Sequence, residues 1–329
     1  MSGLPAKLKE LPQSQYDLNT YWGRVQHAAG LCDPRMAFAS RARLQQAKEL
    51  VSSYRHGHIA TVTPDVWTAK RLLDSTLHYD TGEPVFLPFR MSCFALSNLV
   101  VNAGMLTPGL TRNGIIFWQI MNQSLNVAIN NANANKSSPL PYSTIAKSYI
   151  AAVSVSCSVA LGLNTLIQRL KSPSGTTKRV LSRLTPFAAV TSASAFNVLL
   201  MRSDEVRQGI NIYPLRSQTS QSDEPMQPLG KSQRAAWVAI SETAISRVLN
   251  AAPVMIIPPL ILLRMERLAL LRAYPSLLVP LKLGLIFSTS LVVLPLAIAV
   301  FPQRQAIDVA ILEPEFWDRA GMVEFNRGI

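Results

Sequence analysis

Between Asn113 and Asn135 the chain carries Gln119, Asn122, Gln123, Asn126, Asn130, Asn131, Asn133 and Asn135 and no charged residue. Wound as an α-helix, Gln119, Asn122, Asn126, Asn130 and Asn133 recur every three or four residues. They form one polar stripe, with Ile116, Ile120, Leu125, Val127 and Ile129 opposite. A carboxamide donates and accepts hydrogen bonds without net charge, so such a stripe suits a small polar or zwitterionic ligand. It cannot face acyl chains, where each unpaired amide costs several kcal/mol. It must line a cavity, bind another helix or lie at an interface. The packing seam and the pathway lining are both chemically sound, and the lining is adopted here. A second group, His78, Asp80, Thr81 and Glu83, allows two readings: a proton-coupled gate, or a turn in which Asp80-Thr81-Gly82 caps the backbone ahead of Pro84. The turn is the stronger reading.

Other chemistry is poorly served. His27, His56, His58 and His78 all lie early in the chain, and only His56-Gly57-His58 is close-spaced, without thiolate or carboxylate partners, so no metal site is expected. Neither a glycine-rich phosphate loop nor a serine paired with histidine in a recognisable context is present. No catalytic residue and no cofactor is assigned, and the protein is not expected to be an enzyme. Cys32, Cys93 and Cys157 are too scattered for a disulfide framework.

The elements that position these residues follow from charge. Of the 329 residues 48% are hydrophobic and only 16% charged, against about a quarter in soluble domains. The net charge of +13 would suggest nucleic acid in a soluble chain. From Pro84 to Ser203, however, there is no Asp or Glu, and the basic residues stand at the ends of apolar runs, as cations bordering lipid do. The partner is therefore a lipid bilayer, and no nucleic acid is expected. The first twenty residues hold Lys7, Lys9, Glu10 and Asp17 and no apolar core, so any organelle address is expected to be internal.

A helix needs about twenty apolar residues to cross about 30 Å of hydrocarbon. Uncharged runs place spans near 91–111, 148–168, 184–201 and 283–303, with the amide-rich 113–135 as a further candidate. A sixth, 248–263, holds Pro253, Pro258 and Pro259 and should be broken or kinked. The fold expected is all-α: a polytopic membrane protein with about five, four to six, transmembrane helices. Residues 1–83 form an amphipathic helical region outside the membrane, 84–303 the transmembrane domain with a long loop at 202–247, and 304–329 a tail. Within 1–83, Asp33-Pro34 and Thr63-Pro64 each start a helix, the first burying Leu44, Ala47, Val51 and Tyr54 and stopping at Gly57. Ala235 to Arg247 reads as an interfacial helix anchored by Trp237, and 202–234 as an exposed turn or hairpin. The parity of the crossings, and with it the side of the C-terminus, stays open. The base-rich loops, 169–183 and 264–282, face the cytoplasm or its mitochondrial equivalent, the matrix.

Seven blocks carry a resemblance: Trp22-Gly23-Arg24, Asp33-Pro34-Arg35, His78 to Glu83, Trp118-Gln119 with Asn122-Gln123-Ser124, Pro186-Phe187-Ala188-Ala189, Phe301-Pro302-Gln303 and Phe325-Asn326-Arg327-Gly328. In this order, and over nearly the whole chain, they resemble the sideroflexin family of mitochondrial inner-membrane proteins. Tyr79 departs from the family's proline in the His78 block, and the loop from Gln218 to Gln227 is long for the family. The resemblance implies a carrier of small amino acids in the mitochondrial inner membrane, with serine import for one-carbon metabolism attributed to several members and citrate or iron handling linked to others. The residues favour serine: Asn122, Gln123, Ser124, Asn126 and Asn130, with Asn197 from another span, could surround a zwitterion. Citrate, with about three negative charges, would want converging cations at membrane depth. The nearest is Lys282, which opens a span and should snorkel to headgroups. The remaining alternative is a membrane scaffold or assembly factor whose amides only bind helices. The oligomeric state is left open.

Overall fold

A computed structural model of the chain describes residues 11–12, 14–78, 81–133, 141–170, 175–215, 228–317 and 321–327. Tyr79, Asp80, Asn135 and the loop residues 216–227 lie outside the described residues. In chain order the helices are α1 (Tyr21–Leu31), α2 (Arg41–Arg55), α3 (Pro64–Thr76), α4 (Phe94–Met105), α5 (Arg112–Ala132), α6 (Tyr142–Arg169), α7 (Gly175–Met201), α8 (Ser203–Gln208), α9 (Gln233–Met265), α10 (Ala269–Ala273) and α11 (Leu278–Ala299). The strands are β1 (Ile210–Pro214), β2 (Gly230–Ser232), β3 (Arg304–Asp308) and β4 (Met322–Asn326).

Among the described residues four helices are long and apolar enough to cross a membrane: α6, the Val180–Met201 part of α7, α9, and the Pro275–Ala299 run that contains α11. The protein is thus a polytopic, mainly helical membrane protein. The run expected at 91–111 is shorter. A 3₁₀ turn at Met91–Cys93 leads into α4, whose 12 residues reach about 18 Å, and the chain then turns with Gly109 at φ 71°. Thr107-Pro108-Gly109 stops it, because proline cannot continue the ladder and glycine takes the left-handed bend. The amide-rich segment is α5, 21 residues long. The run at 248–263 is not broken. It belongs to α9, which continues through all three prolines and also takes up the stretch expected as a separate interfacial helix and as part of the 202–247 loop. Proline withdraws the bonds to the carbonyls of Leu249, Val254 and Met255. Its φ remains helical, and the other bonds of a 33-residue helix hold the direction. At 1.5 Å per residue α9 measures about 50 Å, so part of it projects beyond the hydrocarbon.

The chain forms two compact units, Met1–Gly109 with Ile120–Leu140 and Ile257–Ala299, and Leu110–Gln119 with Pro141–Ile256 and Val300–Ile329. In the first, α2 and α3 pack through Leu44, Ala47, Val51, Ala69 and Leu72. Asp33 caps only a 3₁₀ turn, Pro34–Met36; the cap of α2 is Ser40, whose Oγ accepts from Arg43 N at 3.2 Å. Thr63 caps α3 as expected, accepting from Val66 N. The unforeseen α1 lies against α11: Tyr21 Oη donates to Leu296 O (3.3 Å), and Arg24 Nε to Ala299 O (2.9 Å), the last carbonyl of α11. Arg24 Nη1 also donates to Leu18 O and Asn19 O. A Cβ at Gly23 would lie 1.9 Å from Asp17 O, so the residue between Trp22 and Arg24 must be glycine.

In the second unit α6 and α7 form a helical hairpin with small residues on the buried faces: Ser148, Ala152, Ser156 and Ala160 on one, Ala189 and Ala193 on the other. This four-residue spacing lets backbones approach closely in lipid. The 202–234 segment contains α8 and the β1–β2 hairpin, and the tail adds β3 and β4, giving an antiparallel sheet in the order β2-β1-β4-β3. Ile212, Ile307, Leu312, Phe316, Val323 and Phe325 form its core against Ala235 and Ala239 of α9. The α9 N-terminus is closed by Glu313, whose Oε1 accepts from Gln233 N (2.8 Å) and Arg234 N (2.9 Å). Pairing of β1 with β4 requires 210–214 and 322–326 on one side of the membrane.

Candidate functional site

The amides of α5 sit on the side of the helix turned into the protein. Gln119, Asn122 and Gln123 are 2%, 3% and 1% exposed, and Ser124, Asn126 and Asn130 are half-buried. The outward positions are apolar: Phe117 (52%), Ile120 (37%) and Met121 (39%). Of the apolar residues expected opposite the stripe, Ile129 is instead buried. The helix is thus organised for a lipid surround, with oil outward and amides inward, the inverse of a helix on a water-soluble core.

Burial alone would not make these amides functional, because amides also hold helices together. Their hydrogen bonding is more telling. Gln119 Oε1, Asn122 Nδ2 and Gln123 Nε2 find no partner among the described residues. The same holds for Oδ1 of Asn197, 2% exposed on α7, one turn beyond the small residues Ala189 and Ala193. Native interiors seldom leave such groups unmade, each lost bond costing about 1–3 kcal/mol, and an orphan of this kind calls for a water, ion or ligand. A carboxamide can also turn over, presenting either a donor or an acceptor to what arrives. The end of the stripe is different: Asn133 Nδ2 donates to Phe89 O and Ile129 O, both at 2.8 Å, and is structural.

The His78 block is a backbone-bonded turn. His78 N donates to Glu83 O (2.8 Å), Gly82 N to His78 O (2.9 Å) and Glu83 N to Thr81 Oγ1 (3.4 Å), with Gly82 at φ 64° and a bridge between Leu77 and Pro84. The His78 side chain is buried, whereas Thr81 and Glu83 are exposed. The described bonds of the turn join main-chain groups and the Thr81 hydroxyl; Asp80 lies outside the described residues. Lys282 does not reach for headgroups as expected. Its Nζ donates to Ala103 O (2.6 Å) and Thr107 Oγ1 (3.3 Å), placing a cation on the C-terminus of α4, where the helix dipole favours it.

Among titratable groups outside the spans, burial pushes the Cys32 thiol up to about 12 and keeps it protonated and unreactive. Burial, helped by Lys70, lowers His27, so its ring is neutral at pH 7. Asp33 is held low by its bonds from Arg35. Among the described residues no group of three or more His, Cys, Asp or Glu could hold a metal ion. Two surface hollows, of about 360 Å³ beside Asp308 and Trp317 and about 210 Å³ between Cys32 and Leu294, are lined by none of the amides.

Reading uncharged runs passed over a polar group in the second unit. On α9, Glu242, Thr243, Ser246 and Arg247 share one face, and Arg202 at the end of α7, Gln305 of β3 and Arg327 after β4 reach into it. The signal was present in the sequence: Glu242 and Arg247 stand five residues apart just ahead of the apolar run 248–263.

Comparison with known proteins bears on what this arrangement serves. The model of the family described as "Sideroflexins" matches residues 10–329. The chain is 53% identical to sideroflexin fsf1 of Schizosaccharomyces pombe, over 97% of this chain and 99% of that protein. It is 51% identical to sideroflexin FSF1 of Saccharomyces cerevisiae over 100% and 99%, and 34% identical to human sideroflexin-5 over 97% and 93%. No solved structure matches. With a family match over almost its full length and relatives of this identity, the chain belongs to the sideroflexin family.

Proposed function

We propose that the protein is a carrier of small neutral amino acids in the mitochondrial inner membrane, with serine as the substrate and import for one-carbon metabolism as the role. Family membership supports the membrane and the organelle. The observation that carries the transport reading is the set of inward carboxamides on α5 that have hydrogen-bonding atoms to spare while the outward face is apolar. A scaffold has no reason to keep such groups unsatisfied, since paired amides or alanines would hold helices better.

In this reading Asn122 and Gln123, with Ser124, Asn126 and Asn130, receive the substrate. Serine offers an ammonium, a carboxylate and a hydroxyl. A neutral amide set can bond all three without burying a net charge, which suits a molecule that must also leave again. Alternating exposure of these groups to the two sides would move the solute.

The test is uptake of labelled serine into proteoliposomes holding the purified full-length protein. Replacing Asn122 or Asn126 by leucine should lower the initial rate at least tenfold while the protein stays folded. Unchanged uptake in both variants would remove the proposed site. Absence of uptake by the unsubstituted protein, in vesicles where it is folded, would favour the scaffold.

A further inference from the structure

α9 carries a charge that its surroundings do not neutralise. Its apolar run from Val248 to Leu263 is bounded by Arg247 and Arg264, so Arg247 stands where the helix enters hydrocarbon. The residue is half-buried. Thr243 and Arg247 are one turn apart on the same face. Arg202, from the end of α7, donates Nη1 to Thr243 Oγ1 at 3.2 Å, so two guanidinium groups come together here and act on one another electrostatically. Arg202 has its own counter-ion: Nε and Nη2 both bond Glu205 Oε2. The adjacent column of α9 is occupied too. Glu242 accepts from Gln305 Nε2 at 2.7 Å, and Ser246 accepts from Arg327 Nη1 at 3.0 Å. Arg304 is paired with Glu324. Among the described residues no carboxylate pairs with Arg247 and none accepts a hydrogen bond from it.

A half-buried guanidinium left next to a second one is unfavourable unless an anion completes it. Its planar fork matches the two oxygens of a carboxylate or phosphate. We infer that Arg247, backed by Arg202, forms an oxyanion-binding site where α7 and α9 leave the membrane. The anion comes from one of two sources, the phosphate of a lipid headgroup or a soluble carboxylate or phosphate at the mouth of the protein.

The thermal midpoint of the full-length protein in neutral, phosphate-free maltoside micelles tests this. Cardiolipin in the micelles serves as the lipid probe, and millimolar inorganic phosphate as the soluble one. A ligand that binds only the folded state raises the midpoint by several degrees. The expected result is a rise with at least one probe that disappears in Arg247→Gln, survives partly in Arg247→Lys and survives fully in Arg267→Gln, a change on an exposed loop. A rise with cardiolipin alone assigns the site to lipid, and a rise with phosphate assigns it to a solute. Without any anion, Arg247→Gln should melt no lower than the unsubstituted protein, since it removes an uncompensated charge. A lower midpoint, or a failure of this variant to fold, would mean that the guanidinium already has a structural partner and would overturn the inference. So would an unsubstituted protein that responds to none of the probes, or an Arg247→Gln variant that responds as strongly.

Discussion

Polar side chains are used in two opposite ways in this protein. At helix ends they are consumed. Arg24 covers the last carbonyl of α11, Lys282 sits on the C-terminus of α4 and Glu313 closes the N-terminus of α9, each bonded to backbone groups that the helix leaves over. Inside α5 and α7 they are held in reserve. Gln119, Asn122, Gln123 and Asn197 are more deeply buried than the caps, yet each keeps an atom without a partner among the described residues. Burial alone therefore does not separate structural polar groups from candidate functional ones; what separates them is whether the hydrogen-bonding capacity is already used. If so, the two classes must respond to truncation in opposite ways.

The largest loss should come from Arg24. Its guanidinium bonds three carbonyls, those of Ala299, Leu18 and Asn19, and so ties α1 both to the preceding loop and to a membrane-crossing helix. A charged bond is worth about 1.5–3 kcal/mol, and part of that is screened here because the side chain is only half-buried. Arg24→Ala should destabilise by about 2–3 kcal/mol, measured as a lowered thermal midpoint. Lysine should restore less than half, because a point charge cannot span three acceptors.

Glu313 should follow with a smaller effect. Removing an N-cap costs about 1 kcal/mol, so Glu313→Ala should lower the midpoint modestly, and Glu313→Gln, which keeps an acceptor, by less. The carboxylate adds a pH dependence. Burial tends to raise its pKa, but the Ser232 hydroxyl and the N–H groups of Arg234 and Gln233 outweigh this and hold it below the ordinary glutamate value. A lowered folded-state pKa means that the cap stabilises fully above the unfolded value, about 4.3. The contribution fades as pH falls through the folded value. Acidification from neutrality should thus narrow the difference between the unsubstituted protein and Glu313→Gln. A difference that stays constant down to strongly acidic pH would rule out the carboxylate as the cap.

The two ways of using polar groups also decide how much could be read beforehand. The long apolar helices and the amide stripe follow from local pattern, since hydrocarbon imposes one length and one polarity on every span. Where a span ends depends on turn chemistry instead, and Thr107-Pro108-Gly109 shortened α4 although no charge marked the place. The prolines of α9 misled in the other direction. Read alone they signal a break, but a long helix anchored at its start by Glu313 and by packing on the sheet runs through them. Of the sheet only the β1–β2 hairpin within 202–234 was legible; its union with 304–326 was not, because pairing at that separation leaves no local trace. Asn122 and Asn126 could be picked out by type and spacing. That Asn133 is spent on Phe89 O while Asn122 keeps a free donor is decided by residues far away in the chain.

The smallest change in stability should accompany the largest change in proposed activity. Asn122 Nδ2 is buried without an acceptor, so replacing the side chain by leucine, of similar size, removes a desolvation penalty of about 1–3 kcal/mol and little that is favourable. Some of that gain is lost to imperfect fit. The balance should be neutral to stabilising, within about 1 kcal/mol, whereas serine uptake should collapse. An ordinary packing amide behaves differently, because its truncation strands a partner and lowers stability. Asn133→Leu is the internal control: it deprives Phe89 O and Ile129 O of a donor and should destabilise by about 1 kcal/mol with little effect on transport. If Asn122→Leu instead lost as much stability as Asn133→Leu, the amide would be part of the helix seam, and the contrast between reserved and consumed polar groups would fail at the residue on which the carrier reading most depends.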